Sequence, residues 1–341
     1  MKTASSKSNV TYFSVHGEDV SFASTSEALM SCVQTHLKYF RTKQASTVSP
    51  LSITFDVVDN LKDVPLTLSQ SARNLFSRTG EAKKHFSWPD GPCEVHWDNN
   101  KLIAKFPPRG LLVIDGLRGE AHGYLVKPEL LHSDLRVRFI HFALMELLKW
   151  KGYYTIHATA LEKDGLGVLI PGYSGQGKTT TFLSLLRSGF KCLSDDHPFL
   201  HVNANGVEVL AFPVKIKVTK NTIGFFPELQ NAGSFLHQGP WKKYFYVDDL
   251  YPGGTGHSSK AKILLFPRVV DSPTSHLEKL SKCQALEELL PQSLLVYDQG
   301  IARKEFQALT QLVQQTDCYR VYCGRNILEL PKLVTPLLEK P

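Results

Sequence analysis

Residues 172–179 read Gly-Tyr-Ser-Gly-Gln-Gly-Lys-Thr, and no other run constrains the fold of this chain as tightly. Gly172, Gly175 and Gly177 let the backbone curl without a Cβ in the way. Backbone N–H groups in such a curl point inward and make a nest for an anion. The apolar residues 166–170 just before the run read as a strand, and residues 179–188 after it read as a helix. A helix start adds its positive dipole end to the nest. The pattern matches G-x-x-x-x-G-K-[ST], the Walker A phosphate-binding loop, at every fixed position. Ser174, Gln176 and Thr180 complete the set expected to face the phosphates. Lys178 supplies a point charge for the outer phosphates, and the Thr179 hydroxyl suits a magnesium ion that rides with them.

The helix is expected to stop at Gly189, a natural C-cap. Residues 190–193 then read as a short strand with Asp195 and Asp196 at its end. A strand–loop–helix–strand crossover sets its two strands parallel in one sheet, so their carboxyl ends share a rim. The two aspartates are thereby expected beside the glycine loop. One can hold magnesium and the other can take a proton from an attacking hydroxyl, with lysine and magnesium charge keeping both ionised.

Asp164-Gly165 is a two-residue hairpin signal between apolar runs. A register that sets Lys163 opposite Leu166 puts His157 opposite Gly172, at the mouth of the loop. A one-residue slip would turn it away.

The rest of the 341-residue chain bounds the setting. Length favours two domains. No apolar run approaches the roughly 20 residues that span a bilayer; residues 139–148 come nearest and are interrupted by His141 and Glu146. The polar start of the chain lacks a secretory signal pattern, so a cytoplasmic protein is expected. Six scattered cysteines without a CxxC pair argue for reduced thiols rather than zinc or disulfides. The net charge of +7 is diffuse and no nucleic-acid-reading motif accompanies it, so no nucleic-acid partner is expected.

Residues 1–132 read as a smaller α+β domain of unassigned role, and residues 133–341 as an α/β phosphate-binding domain. In the first, residues 10–15, 19–22, 51–58, 101–106 and 111–115 are strand candidates, residues 26–40 an amphipathic helix capped by Ser26, and residues 88–91 and Pro107-Pro108 turns. Residues 134–150 read as a helix opening the second part, capped by Ser133 or Asp134, followed by a β-type run over 153–161. Further on, 277–290 reads as a helix, 253–260 as a flexible polar loop, and 328–338 as a terminal element broken by Pro331 and Pro336. Lys215 and Lys217 alternate with Ile216 and Val218, so both face one side of a strand and could meet a substrate phosphate or carboxylate. Lys242, Lys243 and the glycines of 253–256 are candidates for a segment closing over an acceptor.

Together, His157-Ala158, the glycine loop and Asp195-Asp196 resemble the C-terminal domain of HPr kinase/phosphorylase, a fold related to the nucleotide-binding domain of phosphoenolpyruvate carboxykinase. The likeness is firm over residues 153–200, looser over the rest of the second part, and does not reach the first. It implies an ATP- and magnesium-dependent kinase acting on a hydroxyl, that of a serine above all, in a peptide, protein or small molecule. By the same likeness Asp196 is the general base, Asp195 a metal contact (the reverse assignment stays open), and His157 the histidine beside phosphate and base. The family's downstream signature rich in glycine and arginine is not found here, which argues against HPr as acceptor and against reverse phosphorolysis. Phe212-Pro213, Phe226-Pro227-Glu228, Trp241-Lys242-Lys243 and Leu250-Tyr251-Pro252 stand in that region instead. Two other readings are a non-catalytic nucleotide sensor or scaffold, and a carboxykinase-type enzyme. Homo-oligomerisation is left open.

Overall fold

Strand alternation and helical apolar stripes give each of two parts of the chain its own buried apolar residues. The computed structural model describes residues 9–42, 50–78, 93–107, 109–128, 133–235, 242–293 and 297–339. The turn at 88–91, Pro108, Trp241 and the side chains of Ser133 and Asp134 lie outside the described residues. The chain divides into two compact units, Met1–Lys151 and Gly152–Pro341.

The first unit runs β1 (Asn9–Val15), β2 (Glu18–Ser24), α1 (Glu27–His36), β3 (Arg41–Thr42), β4 (Leu51–Val58), β5 (Arg73–Arg78), β6 (Cys93–Asp98), β7 (Lys101–Phe106), β8 (Gly110–Asp115), β9 (Glu120–Val126) and α2 (Ser133–Trp150). Its sheet has the order β3-β1-β2-β4-β9-β8-β7-β6-β5. β4 lies parallel to both β2 and β9, and β9 to β5 form an antiparallel meander. Ser26 caps α1 by accepting from the Leu29 N–H, and Leu29, Met30 and Val33 are buried.

The expected boundary at residue 132 lies instead after Lys151. Helix α2 belongs to the first unit because its apolar face packs on that unit's sheet and on α1. Two glycines make the approach close. A Cβ on Gly116 would stand 2.0 Å from Trp150 Nε1, and one on Gly123 would stand 2.4 Å from Phe55 and 2.8 Å from Phe139. Within α2, Glu146 and Lys149 are both buried and joined at 2.9 and 3.1 Å, so the acid that interrupts the apolar run is neutralised one turn away.

The second unit continues with β10 (Tyr153–Thr155), β11 (Ala158–Lys163), β12 (Leu166–Pro171), α3 (Lys178–Arg187), β13 (Lys191–Ser194), β14 (Phe199–Asn203), β15 (Gly206–Leu210), β16 (Ile216–Thr219), α4 (Lys220–Phe225), β17 (Ser234–Phe235), β18 (Lys242–Phe245), α5 (Val247–Leu250), β19 (Ser258–Val269), β20 (His276–Lys279), α6 (Lys282–Leu289), α7 (Gln299–Gln315), β21 (Asp317–Cys323) and α8 (Leu330–Leu338). The main sheet has the order β10-β14-β15-β19-β12-β11-β13, with β21 joined to β19 and β20 to β21. A small sheet, β16-β18-β17, stands apart. Successive side chains of each strand leave opposite faces. Val168, Ile170, Ile263 and Leu265 therefore enter one core with Phe182, Leu186, Leu330 and Val334 of α3 and α8. Leu169, Leu264 and Phe266 enter the other with Ala285, Leu289, Leu309 and Leu312 of α6 and α7. Helices on both faces of a largely buried sheet make this a mixed α/β unit.

Four sequence expectations change here. Residues 153–161 split into β10 and β11 with a bend at His157. Residues 258–260 are not loop but the start of β19, where Ser259 and Ala261 are buried while Lys260 is not. Residues 276–279 pair with β21, so the helix starts only at Lys282, behind a capping box of Ser281 and Gln284. Residues 330–338 form an unbroken helix. Pro331 sits in its first turn, where no N–H is needed, and Leu330, Val334, Leu337 and Leu338 are buried. Among the described residues no helix is long and apolar enough to cross a membrane, and no disulfide forms among Cys32, Cys192, Cys283, Cys318 and Cys323.

Candidate active site

The glycine loop lies between β12 and α3. Gly172, Gly175 and Gly177 hold φ of 151°, 88° and 99°, conformations that L side chains rarely adopt. Gly177 is the left-handed N-cap of α3, with no side chain covering the first N–H groups of the helix. Gln176 closes the curl: its Oε1 accepts from the Tyr173 N–H at 2.7 Å, and a Cβ on Gly172 would meet that oxygen at 2.6 Å. Ser174 and Gly175 are exposed at the tip; Gln176, Thr179 and Thr180 are half-buried. Lys178 is buried at the floor, where its ammonium donates to the Gly172 carbonyl.

At its far end α3 stops as expected. Gly189 has φ of 92°, its N–H bonds the Leu186 carbonyl at 3.1 Å, and the Phe190 N–H bonds the Leu185 carbonyl at 3.3 Å, the paired bonds of a Schellman cap. The chain then enters β13. β11 is antiparallel to both β12 and β13, so β12 and β13 run the same way with β11 between them. The carboxyl ends of β12 and β13 and the amino end of β11 therefore share one rim. That rim carries the glycine loop, Asp195-Asp196 and His157.

The β11–β12 hairpin has the expected register, Lys163 opposite Leu166 and Ala158 opposite Pro171, turning at Asp164 and Gly165 with φ of 53° and 77°. His157 is the next residue outward. Its backbone N–H bonds the Gln292 carbonyl at 2.7 Å, and the Ala158 N–H bonds the Asp196 carbonyl at 3.0 Å. These bonds lock the bend, and Nε2 of His157 comes to 3.4 Å from both Lys178 Nζ and Asp196 Oδ1.

Ser194 ends β13 and its hydroxyl accepts from the N–H groups of Asp196 at 3.4 Å and His197 at 3.2 Å. This turn splays the two aspartates. Asp195 is buried; its Oδ2 accepts from the Lys217 N–H at 3.3 Å, while Oδ1 has no hydrogen-bond partner. Asp196 is more exposed and sits between two imidazoles, with His197 Nδ1 3.5 Å from its Oδ2. Ser194 and His197 were not singled out in the sequence. A serine hydroxyl can bond backbone N–H groups a few residues on, and a serine at a strand end could have signalled Ser194; a lone histidine carries no such signal.

Burial dominates the protonation chemistry. It pushes the Asp195 carboxyl up to about 7, helped by the Asp196 charge and opposed by the Lys217 N–H and the Lys217 and Lys178 charges. It pulls His157 down to about 4, against the attraction of Asp196 and with Lys178 and His197 adding to the fall. Lys178 is also lowered by burial, against the pull of Asp196 and Asp195. The expectation is that lysine and magnesium charge together keep both aspartates ionised; the Lys178 and Lys217 charges alone do not offset the burial of Asp195. The partnerless Oδ1 of Asp195 is an oxygen suited to a cation. Among the described residues no cluster of three or more His, Cys, Asp or Glu could hold a metal by itself. A magnesium ion shared between one or two protein oxygens and phosphates does not require such a cluster.

Lys243 and the 253–256 glycines do not form a loose cover. The Lys243 ammonium is buried on the carbonyls of Leu229 and Gln230. The Cys192 N–H bonds the Gly254 carbonyl at 2.6 Å, and Thr255 Oγ1 bonds Asp248 at 2.8 Å. Phe212-Pro213 follows β15 with the Phe212 N–H on the Leu193 carbonyl, 2.8 Å away, which ties that segment to the strand carrying the aspartates.

No model of a known protein family matches the sequence, and no curated protein does. Among solved structures, the Hpr(Ser) kinase/phosphatase from Coxiella burnetii is similar at 16% identity, covering 54% of this chain and 93% of that chain, with a TM-score of 0.30. A likeness at that level carries no argument, and the class assigned here is the broad one that the fold defines: a mixed α/β protein with a glycine loop between strand and helix. Its functional reading rests on the site's own geometry.

Proposed function

We propose that the Gly152–Pro341 unit binds a magnesium nucleoside triphosphate, ATP by the resemblance, at residues 172–179 and transfers its terminal phosphoryl group to a hydroxyl acceptor. The observation that carries this reading is the triangle at the rim. A buried lysine inside a glycine curl, a histidine and a carboxylate meet around one atom, His157 Nε2, at 3.4 Å on each side. The pieces match what phosphoryl transfer needs: a cradle for phosphates, a positive charge on the leaving side and a base facing the acceptor.

In the proposed reaction the N–H groups of the curl and of the first turn of α3 hold the phosphates. Lys178 leaves the Gly172 carbonyl for the outer phosphate oxygens. The acceptor hydroxyl is held near Asp196, and its oxygen forms a bond to the terminal phosphorus as the bond to the bridging oxygen breaks. The hydroxyl proton passes to the Asp196 carboxylate, and the nucleoside diphosphate leaves. Thr179 and Asp195 would hold the magnesium ion, which neutralises phosphate charge when bound. His157 and His197 flank the Asp196 carboxylate on its two sides, at 3.4 and 3.5 Å.

The test is Asp196→Asn, assayed for nucleotide binding by calorimetry and for transfer with labelled ATP against a library of serine-bearing peptides, proteins and free serine. Binding is expected to persist while transfer is lost. Undiminished transfer by Asp196→Asn would refute the base assignment, and absence of heat with any magnesium nucleotide would refute the reading as a whole.

A further inference from the structure

The small β16-β18-β17 sheet has one buried face and one that the chemistry above does not use. Ile216 pairs with Phe245 and Val218 with Lys243, and all four are buried. The alternate positions face the other way: Lys217 opposite Tyr244 and Thr219 opposite Lys242. The same side continues past the strand ends to Lys215, whose ammonium lies 5.4 Å over the Tyr246 ring. Lys215 is exposed, and Lys217, Lys242, Tyr244 and Tyr246 are half-buried. Three lysines and two tyrosines thus share one face.

This face begins at the proposed chemistry. β16 is the edge of its sheet, and the Lys217 N–H points outward from that edge onto Asp195 Oδ2 at 3.3 Å. The Lys217 charge is felt at both Asp195 and His197. The acids closest in sequence, Asp248 and Asp249, are turned to their own segment, where they accept from Thr255 Oγ1 at 2.8 Å and from the Tyr246 N–H at 3.3 Å. Among the described residues, neither Lys215 nor Lys217 is in an ion pair.

We propose that this lysine–tyrosine face docks an extended acceptor peptide in which acidic residues neighbour the hydroxyl-bearing residue. The inference rests on the phosphotransfer reading for the presence of an acceptor, and on charge complementarity for its kind. Same-face residues of a strand are about 6.7 Å apart, so Lys215 and Lys217 match alternate side chains of an extended peptide. A row of cations that starts beside Asp195 suits several carboxylates in series better than the single charge of a small hydroxy acid. Tyrosines between the lysines offer flat surface for the peptide's stems, and each tyrosine orders little side-chain freedom on binding.

The experiment uses the full chain and three synthetic peptides with one central serine, flanked by glutamates, alanines or lysines. Peptide binding is read by fluorescence anisotropy with a non-hydrolysable magnesium nucleotide present, and transfer is read separately with labelled ATP. Binding is expected to fall from the acidic through the neutral to the basic peptide, with about tenfold between the extremes, the size a few partly exposed charge pairs give. The double variant Lys215→Glu with Lys217→Glu is expected to invert that order, and Lys215→Arg with Lys217→Arg to keep it, which separates charge from misfolding. Transfer with no charge preference overturns the docking surface and leaves the kinase reading standing. Charge-dependent binding without transfer supports the surface and sinks the kinase reading. Absence of binding by all three peptides overturns the proposal.

Discussion

The Nε2 atom of His157 lies 3.4 Å from Lys178 Nζ, a donor, and 3.4 Å from Asp196 Oδ1, an acceptor. A neutral imidazole cannot serve both with one nitrogen. With Nδ1 protonated, Nε2 accepts from Lys178; with Nε2 protonated, it donates to Asp196. On the proposed reading, drawing Lys178 onto a phosphate would release the first arrangement and favour the second, so that nucleotide binding would orient the carboxylate. His157→Ala is therefore expected to lower kcat by roughly 100-fold with nucleotide affinity unchanged. Steady-state kinetics beside calorimetry decides it, and an equal loss in both would mean that His157 only supports the loop.

Gly177 has φ of 99°, and a Cβ there would stand 3.2 Å from Val269 Cγ2. Gly177→Ala should lower stability by about 1–2 kcal/mol and also weaken nucleotide binding, because the curl must open. Gly189→Ala is the control: φ is 92° but nothing lies within 4 Å, so it should cost similar stability and leave binding intact. Thermal melts with and without magnesium nucleotide separate the two. Equal nucleotide affinity in both variants would contradict the loop's role.

Asp195 titrates at about 7 in the folded chain against 3.8 as its ordinary value. A raised carboxylate contributes stability that is fully present below the ordinary value and is lost as pH rises through the folded one. In metal-free buffer this contribution to the melting temperature should fall as pH rises from about 4 through about 7 and level off above about pH 8. Magnesium nucleotide should lessen that fall, and Asp195→Asn should abolish it. A slope that persists in Asp195→Asn would assign it to another group.

His157 has the opposite sign. Its folded value of about 4 is below the ordinary 6.5, so its contribution is present above 6.5 and is lost as pH drops towards 4. The His157→Gln variant should melt with a shallower dependence over that window than the natural chain. Identical acid limbs would show that the imidazole is not buried in its neutral form.

In the first unit, Glu146 and Lys149 neutralise one another among buried leucines of α2. Lys149→Met alone should cost roughly 3–5 kcal/mol, because a buried carboxylate is left without its cation, and adding Glu146→Leu should recover most of that loss. Denaturant titrations of the two variants measure it. Additive losses would show that the pair is not coupled.

The sequence by itself determined the local parts. The glycine curl, the cap at Gly189, the Asp164-Gly165 hairpin and hence the place of His157 depend on backbone preferences of a few neighbouring residues, which are written in residue type and spacing. The common rim of β12 and β13 followed from the handedness and reach of one short crossover, although the strand between them, β11, had to be supplied by the hairpin. Only the tertiary structure decided what depends on distant partners. Helix α2 joins the first unit because Gly116 and Gly123 admit Trp150 and Phe139. Residues 276–279 become strand because β21 offers them a ladder. The Asp195 carboxyl is raised because burial reaches it, while the neighbouring Asp196 side chain stays more exposed at the rim. Propensity is a property of a segment; burial and pairing belong to the whole fold, and no single sequence window contains them.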